Sequence, residues 1–97
     1  MPRHEAVVLE YGQWVQLTVA DVTAISFQVI AGAEVHITGT DGPVPPGPGA
    51  AGWQYAPGQG ERNVALADLF PGIAASRVWA QASGGGGVPG RVMVSHA

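Results

Sequence analysis

The apolar residues of this chain recur at every second position in one segment after another, and no other feature constrains its fold as strongly. Val15, Leu17 and Val19 alternate with Trp14, Gln16 and Thr18; Ile25, Phe27 and Val29 alternate with Ala24, Ser26 and Gln28; Val35 and Ile37 flank His36. Toward the C-terminal end Val78, Ala80 and Ala82 alternate with Trp79 and Gln81, and Val92 and Val94 with Met93 and Ser95. Side chains of an extended strand point alternately to opposite faces, whereas a helix repeats every 3.6 residues. A spacing of two, rich in β-branched residues, therefore predicts half-buried strands. No segment carries a sustained helical stripe. The reading is an all-β fold, a small antiparallel β-sandwich or barrel of about seven to eight strands with one short helical turn. At 97 residues, 1–97 make a single β domain.

Composition decides whether such strands can find a core. Gly and Pro number 15 and 8, about a quarter of the chain and close to the level of low-complexity sequence. Leu, Ile, Val and Phe make up another quarter, above the floor of roughly 20% below which a chain cannot bury enough apolar surface to fold. Charged residues are 11%, against about 25% in an ordinary soluble domain. The formal charge is −3, with four Arg and no Lys, so no basic patch for phosphate or for an anionic membrane is expected. No apolar run reaches the roughly 20 residues of a membrane span. The Ala6–Leu9 run, bracketed by Glu5 and Glu10, is too brief for a signal-peptide core, so synthesis in the cytoplasm is expected. The absence of Cys excludes disulfides and thiolate metal sites.

Three segments break the alternation. Gly39–Gly52, GTDGPVPPGPGAAG, is a long Pro/Gly loop with Asp41 as its one charge; Pro46 and Pro48 favour extended polyproline backbone. Loops of this length in a compact domain are usually functional or mobile, and here a contact loop reaching a neighbour competes with a mobile excursion. Ser83–Gly90, SGGGGVPG, reads as a flexible hairpin tip between the last two strands, and Ala31-Gly32-Ala33 as a short hairpin connection. In Ala65–Ile73, Leu66, Leu69 and Phe70 are spaced for one helical turn that Pro71-Gly72 stops.

No residues assemble into a catalytic motif. His4, His36 and His96 lack ligand spacing, so neither a metal nor another cofactor is expected. Ser26, Ser76, Ser83 and Ser95 lack a nucleophile-elbow setting, and Asp21, Asp41, Asp68, Glu34 and Glu61 show no spacing that favours a carboxylate pair. Gly58-Gln59-Gly60 begins a G-x-G pattern, but Asn63 stands where the third Gly belongs, and Pro57–Gly60 reads instead as a tight turn. A non-enzymatic protein is expected. Aromatics are the remaining lead. Trp53 and Tyr55, two apart, share a face of a strand; with Tyr11, Trp14 and Trp79 they can cap a core, anchor a protein interface or stack on sugar rings.

The run PGQGERNVALADLFPGIAASRVWA from Pro57, with the terminal VMVSHA, is similar to small uncharacterised proteins encoded among the virion structural genes of tailed bacteriophages and prophages. Those proteins share a Thr/Ala-rich first half, a Pro/Gly-containing middle and a closing R-V-W/Y-A … V-S-H/R-A. The match covers roughly the last forty residues; the GGGGVPG stretch before Arg91 is longer than the pattern and leaves the last connection open. The resemblance implies a structural part of the virion: a capsid (head) decoration or spike, or a neck or tail accessory. It implies copies of itself and other virion proteins as partners, with no catalytic residues to transfer. The low charge agrees with a surface partly covered by other subunits. The expected contact residues are Pro45, Pro46, Pro48, Trp53, Tyr55, Leu69, Phe70 and Pro71. A carbohydrate-binding β module for host-surface glycan and a free-standing β domain with a small partner are the other classes; neither nucleic acid nor membrane is an expected partner.

Overall fold

The alternating segments become strands of two antiparallel sheets. The computed structural model describes residues 2–47, 50–83 and 89–97. In chain order the elements are β1 (Arg3–Leu9), β2 (Val15–Gln16), β3 (Ala24–Ala31), β4 (Val35–Thr40), β5 (Trp53–Tyr55), β6 (Gly60–Ala65), α1 (Leu66–Leu69), β7 (Arg77–Ala82) and β8 (Gly90–His96). The first sheet has the order β1-β8-β3-β6 and the second β2-β7-β4-β5. The fold is a small β-sandwich.

The two orders match strand for strand, and that match defines the architecture. β1 and β2, β3 and β4, β5 and β6, and β7 and β8 are each consecutive in sequence, yet each pair is split between the sheets. The sandwich is thus four arches stacked side by side. Only β4 and β5 are consecutive and paired, Val35 facing Tyr55 and Ile37 facing Trp53 across their ladder. Among the described residues, β4 and β5 thus form the one hairpin, joined through the long Pro/Gly segment.

This topology corrects two expectations. Ala31-Gly32-Ala33 does not close a hairpin but turns the chain from one sheet into the other. Gly32 has φ +93°, and a Cβ there would lie 2.6 Å from the Pro89 carbonyl oxygen, so the corner needs glycine on both counts. Ser83–Gly90 likewise joins strands of different sheets and is no hairpin; residues 84–88 of that segment lie outside the described residues. A short loop and two alternating runs look the same in sequence whether the chain folds back in the sheet or across it. Pro57–Gly60 is a tight turn as expected, Gln59 N–H donating to the Ala56 carbonyl at 3.0 Å, but it too crosses between sheets.

The inner faces are those the alternation marks. Ile25, Phe27 and Val29, Val35 and Ile37, Val78, Ala80 and Ala82, and Val92 and Val94 form one core with Val7, Leu9, Leu17, Leu66, Leu69 and Phe70. The strand expected through Val19 stops at Gln16, because Thr18 turns inward, its Oγ1 accepting the Val78 N–H, and Val19 faces outward. The helical turn forms where Leu66, Leu69 and Phe70 were expected to make one, and all three side chains enter the core. Phe70 lies against Gly39, where a Cβ would stand 2.7 Å from its ring.

One flank of the sandwich is closed by the chain itself: between β1 and β2, Gly12 N–H donates to the Ala82 carbonyl of β7 at 3.1 Å. The opposite flank, between the edge strands β5 and β6, is the mouth of the sandwich.

Candidate interaction site at the mouth of the sandwich

β5 is short, but its register decides where its aromatics go. Trp53 and Tyr55 sit opposite Ile37 and Val35, both fully buried, so the two rings share the inner face of the second sheet. Standing on an edge strand, they fill the mouth rather than the centre. Tyr55 is the deeper: its ring meets Phe27 edge to face, centroids 5.0 Å apart at 88°, and its hydroxyl donates to Glu61 Oε2 at 3.2 Å. Burial, and then the charge and hydrogen bond of Glu61, push its phenol up to about 12.

Trp53 is 55% exposed, yet its orientation is fixed. Its indole N–H donates to the Leu69 carbonyl at 2.7 Å. Leu69 closes α1, and a carbonyl at a helix C-terminus has no partner within the helix, so the indole fills a real vacancy. More than half of the side chain stays exposed, and the turn that follows α1 carries two further exposed apolar residues, Pro71 and Ile73. Trp53 borders a groove of about 510 Å³ lined also by Gln54, Tyr55, Gln59, Glu61 and the glycines at 58 and 60. Gln59 Oε1 accepts the Ala56 N–H at 2.8 Å, which leaves its amide N–H groups free to point outward.

The expected contact residues divide. Trp53 and Tyr55 come together at this mouth, while Pro71 is exposed on the turn after α1, Pro45 is exposed and Pro46 half-buried on the long loop; Pro48 lies outside the described residues. Leu69 and Phe70 are corrected: at 8% and 7% exposure they are core, held there by the turn that places both on the inward side of α1. Ile73, Glu61 and Gln59 were missed. An apolar residue just past a Pro-Gly stop is the one sequence signal that pointed to Ile73.

The wider set of aromatics forms no common platform. Trp79 stands on the outer face of the second sheet but is only 6% exposed; its indole N–H donates to Thr40 Oγ1 at 2.8 Å, and that hydroxyl donates on to the Gly42 carbonyl at 2.8 Å. Trp79 thus fixes the start of the long loop. Tyr11 is exposed on the closed flank, away from the mouth.

The histidines stay apart: His4 on the outer face of the first sheet, His36 on that of the second, and His96 buried at one end, where Val19 N–H donates to its Nε2 at 3.2 Å. Among the described residues no cluster of three or more His, Asp or Glu can hold a metal. Asp21 accepts from Arg77 Nε at 2.8 Å, and this bond holds its carboxyl below the usual value. Two further depressions exist. One, of about 350 Å³, lies on the outer face of the first sheet with His4, Gln28 and Arg62; the other, of about 810 Å³, lies at the His96 end with Asp21 and Ser76. Neither presents an exposed aromatic ring.

Comparison with protein-family models, with curated proteins and with solved structures finds no match for this chain.

Proposed function

We propose that this chain is a non-enzymatic structural subunit of a phage virion, a many-copy head decoration or spike or a neck or tail accessory, that docks on its neighbours through the mouth of the sandwich. The observation that carries the reading is Trp53: a large aromatic surface, half exposed, already held in one orientation by the Leu69 carbonyl. Such a side chain loses little freedom on binding, which is what distinguishes an anchor from an incidental exposed ring. Pro71 and Ile73 add exposed apolar residues on the turn after Leu69, and the low charge of the chain favours a surface partly covered in assembly.

The closing motifs of that resemblance are keystones of the fold, while Gln59 and Glu61 of the same run line the mouth. In the R-V-W-A stretch, Arg77 pairs with Asp21, Val78 and Ala80 fill the core, and Trp79 ties down the long loop. In V-S-H-A, Val94 is core and His96 accepts the Val19 N–H. The resemblance therefore supports a shared architecture, and the virion role is carried over from it.

The test is association with particles. Trp53→Ala should keep the β-sheet circular dichroism of the parent and lose about 2 kcal/mol or more of particle binding. A variant that folds and decorates particles at normal copy number overturns the reading.

A further inference from the structure

The groove beside Trp53 offers an aromatic face, a carboxylate and no cation. Trp53 has its one polar atom satisfied by Leu69, so its exposed surface has only π-electron density and apolar contact to give. Glu61 accepts from Tyr55 through Oε2, which orients the carboxylate and leaves Oε1 unused by that bond. Neither ion pair among the described residues involves Glu61: these are Arg3 with Glu5 and Arg77 with Asp21. Among the described residues no Arg, Lys or His lines the groove. The nearest in sequence, Arg62, is exposed and lines a neighbouring depression with His4, one that Glu61 also borders, but no ion pair joins it to Glu61. The neighbouring α1 adds a further acid, Asp68, one residue before the carbonyl that holds Trp53.

We propose that this groove receives an arginine side chain, presented by an extended segment of a neighbouring protein, with the guanidinium stacked on Trp53 and forked onto Glu61. This rests on the reading of Trp53 as a protein contact and names what the contact recognises. A planar guanidinium matches both halves of the site, since it stacks on an indole face and donates paired hydrogen bonds to a carboxylate. An anionic ligand would meet Glu61 without compensation. A neutral sugar would use the ring but leave the carboxylate's charge without a counterpart. The segment is extended because β5 and β6 are both sheet edges flanking the groove, and their free backbone groups can pair with a passing strand. The chain carries net charge −3 and no Lys, which complements a basic partner.

The full-length protein is titrated with acetyl-Gly-Arg-Gly-amide, with the same peptide carrying citrulline in place of arginine, and with N-acetylglucosamine. The Trp53 indole N–H and the Gln59 side-chain amide are followed by NMR. The arginine peptide should shift both signals saturably, bind about fivefold or more tighter than the citrulline peptide, and weaken as salt is raised. Glu61→Gln, whose amide oxygen still accepts from Tyr55, should keep the fold and remove that fivefold preference. Equal response to citrulline, no response to arginine, or an undiminished preference in Glu61→Gln overturns the proposal, and a response to the saccharide alone makes the groove a sugar site. Particle association separates the two levels. If Trp53→Ala loses it while Glu61→Gln keeps it in full, the docking reading stands and the arginine proposal falls; if both variants bind normally, both fall.

Discussion

Tyr55 links the core to the mouth, since its ring packs on Phe27 while its hydroxyl reaches Glu61. That position gives the protein an alkaline weakness. In the unfolded chain a tyrosine ionises near pH 10, but folded Tyr55 holds its proton to about 12. Between those values the unfolded state releases a proton that the folded state retains, so unfolding gains. The contribution of Tyr55 is fully present below about pH 10 and is lost as pH rises through 12. Urea unfolding across that range should show stability falling more steeply for the parent than for Tyr55→Phe; parallel curves would mean the phenol is not perturbed. Phe27, on the inner side of the same pair, is 4% exposed. Phe27→Ala leaves a cavity between the sheets and removes the ring on which Tyr55 rests, and should destabilise by about 3–5 kcal/mol in denaturant titration. A loss below about 1 kcal/mol would contradict the core assignment.

At the scale of elements, period-two alternation fixes which side chains share a face but is silent on which strands share a sheet. That is why β3, β4, β7 and β8 are legible from Phe27, Ile37, Ala80 and Val94, while the arches between them are not. Legibility of the mouth is limited in the same way. Trp53 and Tyr55 were readable as sharing a face, but only the pairing with Ile37 and Val35 shows that it is the inner one. Trp79 alternates with core residues and belongs to the outer face, yet is buried. No local pattern announces that. The arches also differ from the one hairpin in their tolerance of extra chain. Doubling the twelve-residue connection between Thr40 and Trp53 with a Gly/Ser insert lengthens a loop whose ends are already held by the β4–β5 ladder. The closure term costs only about 0.6 kcal/mol. The same insert beside Gly32 separates a corner packed against Pro89 and Gly90 and should cost several times more. Equal losses of stability in the two insertion variants would show that the corner is not a packed element.

For the whole molecule, stacking four arches means that almost every ladder joins residues far apart in sequence. Arg3 pairs with His96, Val7 with Val92, Phe27 with both Glu61 and Val94, and Val15 with Ala80. β8 is central to the first sheet, so β1 and β3 have no ladder between them until the last strand arrives. Each such pairing requires a long loop to close before any contact offsets the lost chain entropy. The one local pairing is β4 with β5, and its three registered pairs are too few to stand alone. Folding should therefore be slow for a chain of 97 residues, on the order of milliseconds to seconds, as in other all-β sandwiches. Two variants locate the barrier. Val94→Ala removes packing from β8, whose docking completes the first sheet, and should slow refolding in stopped-flow fluorescence as well as speed unfolding. Ile73→Ser, on the exposed turn after α1, should change neither rate appreciably. Refolding in microseconds, or a Val94→Ala variant that only speeds unfolding, would mean that the sheets associate before β8 is in place.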